Sequence, residues 1–177
     1  MQPWIVELPR TQPGSMRPSP TTPCETSIVV PIEFDHNKDR LNFAKHGVSL
    51  SLAARLDWNR ALLWIDDRRD YGESRLIALA SHLEIVYFDA IVRRGPIIRV
   101  ISLRRANRRE VNAMLNSSKT TPIHLPDADE DRRIAEAALA DPDTQPLTEQ
   151  QLARMMPART PTGRHRLFPE QQPAPVR

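Results

Sequence analysis

Residues 61–103 read ALLWIDDRRDYGESRLIALASHLEIVYFDAIVRRGPIIRVISL. Apolar runs alternate here with short polar breaks, which is the pattern of consecutive strands joined by tight links. ALLWIDD (61–67) predicts a strand, and DDRRDYGE a polar turn. Two further strands follow over roughly 74–81 and 84–93, and RRGP (93–96) is the hairpin turn into IIRVISL (97–103). Short links favour antiparallel neighbours. Upstream, VVPIEFD (29–35) predicts a short first strand, and Asp35 caps a helix over about 37–46 with Leu41 and Ala44 on its buried face. Gly47 ends that helix, and Ser49 or Ser51 starts a second one that points Leu52, Ala53 and Leu56 inward. Downstream, RREVNAML forms a last short helix. The expected class is α+β: a small antiparallel four-stranded sheet with helices packed on one side.

Proline marks the limits of this unit. Of 17 prolines in the 177-residue chain, only Pro96 falls between residues 32 and 121. Element interiors tolerate proline poorly because it removes a backbone donor. The expected organisation is therefore a proline-rich disordered extension at 1–31, a compact domain at 32–121 and a linker at 122–128. Two short helices follow within 129–159, and 160–177 is expected to be disordered. Those helices, DEDRRIAEAALA and PLTEQQLARMM, have too little apolar surface to fold alone and are expected to dock on something.

Charge divides the chain in the same way. Residues 32–121 carry 16 Lys and Arg against 11 Asp and Glu, whereas 122–177 carry 7 against 9. A basic domain favours a polyanionic partner. The single cysteine, Cys24, excludes a disulfide framework or a cysteine-based zinc cluster within one chain. No apolar run approaches a membrane span, and MQPWIVELPRTQPG lacks a basic start followed by an apolar segment, so a cytoplasmic protein without membrane partners is expected.

Arg93, Arg94, Arg99, Arg104, Arg105, Arg108 and Arg109 crowd residues 93–109 without an acid among them. The pattern reads either as a solvated basic face with one buried ion pair or as a nucleic-acid surface. Strict alternation along 97–103 would put Arg99 on the face of Ile101 and Leu103, where it needs a carboxylate or a phosphate. Lys45 and His46 precede Gly47 and read either as cations at a helix C-terminus or as part of a site for a charged substrate. The other four histidines share no metal spacing. Glu73 and Glu110 each neutralise nearby arginine or serve as a general base near a ribose hydroxyl.

Three ordered stretches resemble the BrnT family of bacterial type II toxins over about residues 32–114. They are FDHNKDRLNFAKHGVSL (34–50), DDRRDYGESR (66–75) and RRGPIIRVISLRRANRRE (93–110). The resemblance implies a RelE-like fold, a metal-independent ribonuclease without cofactor that inhibits translation, and a BrnA-type antitoxin partner. Through that antitoxin it would reach operator DNA only indirectly. In that chemistry Arg68, Arg75, Arg94 and Arg104 clamp phosphate, Lys45 supports them, and His46 with Glu73 is the expected acid/base pair. Arg99, Arg105 and Arg108 are further candidates for RNA contact. The sequence departs from the family pattern at Ala80, Asp89, Val92 and Met114. Asp89 stands where an apolar strand residue is usual, a costly exchange if it is buried without a partner. A catalytically inactive module that binds only antitoxin or RNA is the alternative.

DEDRRIAEAALADPDTQPLTEQQLARMMPAR (129–159) resembles the leading region of BrnA antitoxins, without the DNA-binding segment that follows it in them. Residues 127–143 hold seven acids against two arginines. A tethered acidic segment reaches a high effective concentration near a basic face, on the order of mM for a short flexible linker. The tail is therefore expected either to fold over that face and block RNA, or to remain a solvated acidic extension.

Overall fold

The computed structural model describes residues 30–117, 122–160 and 164–167. The expected N-terminal disorder falls almost wholly outside these residues, as does most of the expected C-terminal disorder.

The centre is the predicted meander: β2 (Leu62–Ile65), β3 (Arg75–His82), β4 (Ile85–Arg94) and β5 (Ile97–Arg105), each antiparallel to the next. The sheet has six strands rather than four, in the order β1-β5-β4-β3-β2-β6. β1 (Ile32–Glu33) lies parallel to β5, and β6 (Met156–Pro157), from the tail, pairs with β2. β1 falls within the short strand expected at 29–35, whereas β6, two residues long, is too short to show an alternating pattern. Pro157 suits the edge, where a missing N–H breaks no inner ladder. The β4–β5 turn is set by Gly95, whose φ of 61° is cheap only without a Cβ.

Helical elements lie on both faces rather than one. α1 (His36–His46) and a 3-10 helix (Leu50–Arg55) precede the meander, and α2 (Arg108–Ser117) follows it. Val48, Leu50, Ala53, Leu56 and Trp58 pack one face against Leu63, Ala78, Tyr87, Ile91, Val100 and Leu103. Val111 and Met114 of α2 pack the other face, against Leu62, Ile77, Leu79, Phe88 and Ala90. β3 and β4 are apolar on both sides, so both faces need cover; each such side chain contributes roughly 1.5–3 kcal/mol when fully buried.

α1 is capped as expected, with Asp35 accepting from the Lys38 amide and Gly47 at φ 67° closing it. Its buried residue is Asn42, however, and Leu41 and Ala44 are exposed. β1 pairs with β5 only as far as Arg99, so the edge of β5 beyond it is unpaired by backbone. Asn42 takes that place. Its Nδ2 donates to the Leu103 and Val48 carbonyls, and its Oδ1 accepts from the Leu103 N–H and the Ser102 hydroxyl. A side-chain amide thus stands in for a strand partner, satisfying groups that would otherwise be costly to bury.

The tail continues the same folded unit. α3 (Ala128–Ala140), capped by Asp127, runs beside α1 and β5, and α4 (Glu149–Ala153), capped by Thr148, packs near α2. Leu147 and Leu152 enter the core on the α2 face, whereas Ala158 and Leu167 enter the core on the other. Residues 164–167 fall in the stretch read as disordered. There, His165 is buried and bonds the Trp58 carbonyl at 2.9 Å. The tail therefore wraps one edge of the sheet and contributes to both cores. Among the described residues no helix is long and apolar enough to cross a membrane.

Candidate active site

One sheet face carries the predicted cations because β5 departs from strict alternation. Ser102 pairs with Ala90 but Val100 with Ile91, so Ile101 is an extra residue, a bulge. Before the bulge, Arg99 lies opposite Val92; after it, Ser102 and Arg104 lie opposite Ala90 and Phe88, all on the α2 side. The expected grouping of Arg99 with Leu103 is thereby corrected: Leu103 faces the other core. Across the sheet Arg75 lies opposite Val92, so Arg75 and Arg99 flank it in one row.

Arg104 is the buried ion pair, with a side-chain exposure of 1 %. Its Nη1 and Nη2 donate to the two oxygens of Glu110 at 2.9 Å, and its guanidinium lies 4.0 Å from the Phe88 ring centroid. Glu110 also accepts from the amides of Asn107 and Leu147. It is fully enclosed, and its carboxylate counters the charge of Arg104. Arg104 Nη1 also donates to the Arg105 carbonyl at 2.9 Å, and its Nε donates to the Thr144 carbonyl at 2.8 Å.

Residues 141–145, Asp-Pro-Asp-Thr-Gln, cross this face. Asp141 accepts from His46 Nε2 at 2.8 Å, stands 3.7 Å from Lys45 Nζ and receives the Ser102 hydroxyl at 3.4 Å. Arg75 Nη1 donates to Asp143 at 2.7 Å. Arg68 is held fork to fork on Asp66, at 2.7 and 2.8 Å, and donates its remaining Nη1 to the Gln145 carbonyl. Burial pushes the Asp141 carboxyl up, but the His46 hydrogen bond, the Asp143 amide and the charge of Lys45 outweigh it and hold it down to about 2. Burial likewise opposes ionisation of Asp66, and the Arg68 pairing again prevails.

His46, Lys45, Arg68, Arg75 and Arg104 thus meet on one strip, each touching the tail. Glu73 and Arg94 stand at its exposed end: Glu73 lies 4.0 Å from Arg75 and 3.8 Å from Arg94, which also reaches Glu33. Arg105 of β5 and Arg108 of α2 lie apart, against α3: Arg105 pairs with Glu130, and the Arg108 amide donates to Asp131. Asn42, Ser102 and Asp66, which orient the strip, were given no role from sequence. Their short polar side chains gain meaning only once the bulge and the β5 edge are known.

Asp89 is fully buried on the opposite face, and neither oxygen has a hydrogen-bond partner among the described residues. Burial raises its carboxyl well above the usual carboxylate range.

Comparison with known families places a match on this part of the chain. Residues 34–110 match the family described as "Ribonuclease toxin, BrnT, of type II toxin-antitoxin system". The match includes α1, the meander and the first residues of α2, and ends before the tail. No curated protein matches the chain.

Proposed function

We propose that the unit formed by α1, the meander and α2 is a metal-independent ribonuclease toxin of BrnT type, silenced in cis by a tail that resembles the leading region of a BrnA antitoxin. The observation that carries this reading is the occupancy of the strip. Lys45, His46, Arg68, Arg75 and Arg104 are all engaged by residues 141–145, two of which, Asp141 and Asp143, present carboxylates where phosphates would bind. The fit is also imperfect. Among the described residues, Trp64 Nε1, Arg75 Nε and Thr144 Oγ1 are buried without a hydrogen-bond partner, all where the tail crosses the sheet. A surface shaped for a different ligand would show this.

With the tail lifted, Arg75 and Lys45 hold the scissile phosphate, and Arg68 reaches it by the nitrogen that now meets Gln145. A base, Glu73 or His46, removes the ribose 2′-hydroxyl proton. The 2′-oxygen attacks phosphorus, the bond to the 5′-oxygen breaks, and the other group protonates that leaving oxygen. The arginines stabilise the charge gathered on the phosphoryl oxygens. A BrnA-type antitoxin in trans would have to displace the tail from the strip and from β2, any contact with operator DNA would run through that antitoxin, and the cytoplasm is the site of action.

The test is cleavage of single-stranded RNA in EDTA by the full chain and by the Asp141→Asn/Asp143→Asn double variant. Faster cleavage by the variant, abolished by His46→Gln, supports the reading; equal rates count against silencing. The second reading is an inactive binding module. It is favoured by the different partners of the two groups, His46 on Asp141 and Glu73 beside Arg75 and Arg94, and predicts RNA binding without cleavage in every variant.

A further inference from the structure

The tail leaves one part of the cationic surface uncovered. On α1, Lys38, Leu41, Asn42 and Lys45 fall at spacings i, i+3, i+4 and i+7, which is one helix face. Asn42 turns inward to β5. The other three rim a cavity of about 110 Å³ whose far wall includes the tail's Asp141 and Asp143. Lys38 is exposed and makes no ion pair among the described residues; the Lys45 side chain is half exposed. Between them Leu41 is 61 % exposed.

A single exposed leucine is ordinary. This one stands between two ammonium groups roughly 10 Å apart along the helix axis, beside the cavity that opens onto the strip. The cavity is continuous with the strip through Lys45, which touches Asp141. Its α1 side, with Lys38 and Lys45, suits a polyanion once the carboxylates of Asp141 and Asp143 opposite are displaced, and Leu41 with Ile101 suits the face of a sugar or an unpaired base.

We infer that the Lys38–Leu41–Lys45 face of α1 is a binding subsite for the nucleotide next to the one held on the strip. The two ammoniums take phosphates of single-stranded RNA, and Leu41 packs on the sugar or base between them. The assignment of RNA rests on the nuclease reading of the strip. Lys38 and Leu41 make no ion pair or hydrogen bond to the tail among the described residues, so that part of the subsite is open in the resting full-length chain, and its occupancy is measurable without cleavage.

The experiment is fluorescence anisotropy of a short labelled single-stranded RNA with the full chain in EDTA, titrated at several salt concentrations. Lys38→Glu and Leu41→Ser are compared with Arg55→Glu, an exposed change at the end of the 3-10 helix, on the opposite face of the sheet. The expected result is binding by the native chain that Lys38→Glu weakens by about ten-fold, with the slope of log affinity against log salt reduced by roughly 0.7 for the lost phosphate contact. Leu41→Ser weakens it several-fold, whereas Arg55→Glu binds as the native chain does. No binding by the native chain, equal binding by all variants, or equal loss with Arg55→Glu overturns the subsite. So does equal affinity for an acidic peptide of matched charge. If Lys38→Glu loses binding while no variant cleaves RNA, the subsite stands and the nuclease reading falls. If the Asp141/Asp143 variant cleaves and Lys38→Glu changes neither binding nor KM, the subsite falls alone.

Discussion

Asp141 and His46 lie 95 residues apart in sequence and 2.8 Å apart in the fold, joined by a hydrogen bond whose histidine is 2 % exposed and whose carboxylate is 5 % exposed. That contact ties the second half of the chain to the end of α1. Replacing Asp141 with asparagine removes the charge and keeps the shape. A hydrogen bond to a charged group contributes about 1.5–3 kcal/mol, so the lifted state of the tail should become roughly ten- to a hundred-fold more populated. In the full chain the rate of RNA cleavage should rise by a comparable factor. An unchanged rate would show that residues 141–145 do not limit access.

The same residue gives the molecule an acid limit. Its folded carboxyl titrates at about 2, below the ordinary value of 3.8. The folded form therefore prefers the ionised group, and the stabilisation is complete above about pH 4. It is lost as pH falls through 2. The shift corresponds to about 2 kcal/mol. Thermal melting of the native chain and of Asp141→Asn should show the native chain more stable at neutral pH. The difference should narrow below pH 4 and close near pH 2. A gap that persisted at the lowest pH would assign the effect to shape rather than charge.

Asp89 works in the opposite sense. Burial raises its carboxyl well above the ordinary value, so the folded form prefers the protonated group. Its contribution is most favourable below about pH 4 and is lost as pH rises toward the folded value. Asp89→Asn cannot ionise and should melt higher than the native chain at pH 7, with the advantage disappearing by pH 4. The cross-strand neighbours, Ala78 and Leu103, offer no partner for a charge. Equal melting at pH 7 would mean that the native protein already satisfies this carboxylate.

The meander was legible because its strands are long and its breaks carry Gly, Pro and charge. The Asp35 cap was legible for a similar local reason: the side chain that bonds the first turn sits three residues from its partner. The face of α1 was misread because burial there follows the open edge of β5, which rewards the amide of Asn42 over the larger Leu41. The bulge at Ile101 carries no glycine and left no mark in the sequence, yet it decides that Arg99, Ser102 and Arg104 share a face. The cations could therefore be named from the chain, but their convergence could not. The acidity of the tail pointed to a basic surface without saying which carboxylate meets which cation.

Glu110 and Arg104 provide a test of how far the strip depends on what lies beneath it. The pair is enclosed, with both guanidinium ends on the carboxylate. Glu110→Gln leaves a buried guanidinium without its counter-charge, and breaking such a pair costs about 3–5 kcal/mol. Urea denaturation should show a loss of that size. The pair Arg94–Glu33 is the control: both side chains are nearly half exposed, the atoms are 3.4 Å apart, and Glu33→Gln should cost less than about 1 kcal/mol. Because Glu110 also accepts the Leu147 amide, and Arg104 donates to Thr144, the buried substitution should loosen the tail as well. Hydrogen exchange over residues 144–153 should then accelerate more than exchange over β3. Equal acceleration of both segments would mean that the pair stabilises the fold as a whole and holds the tail only through it.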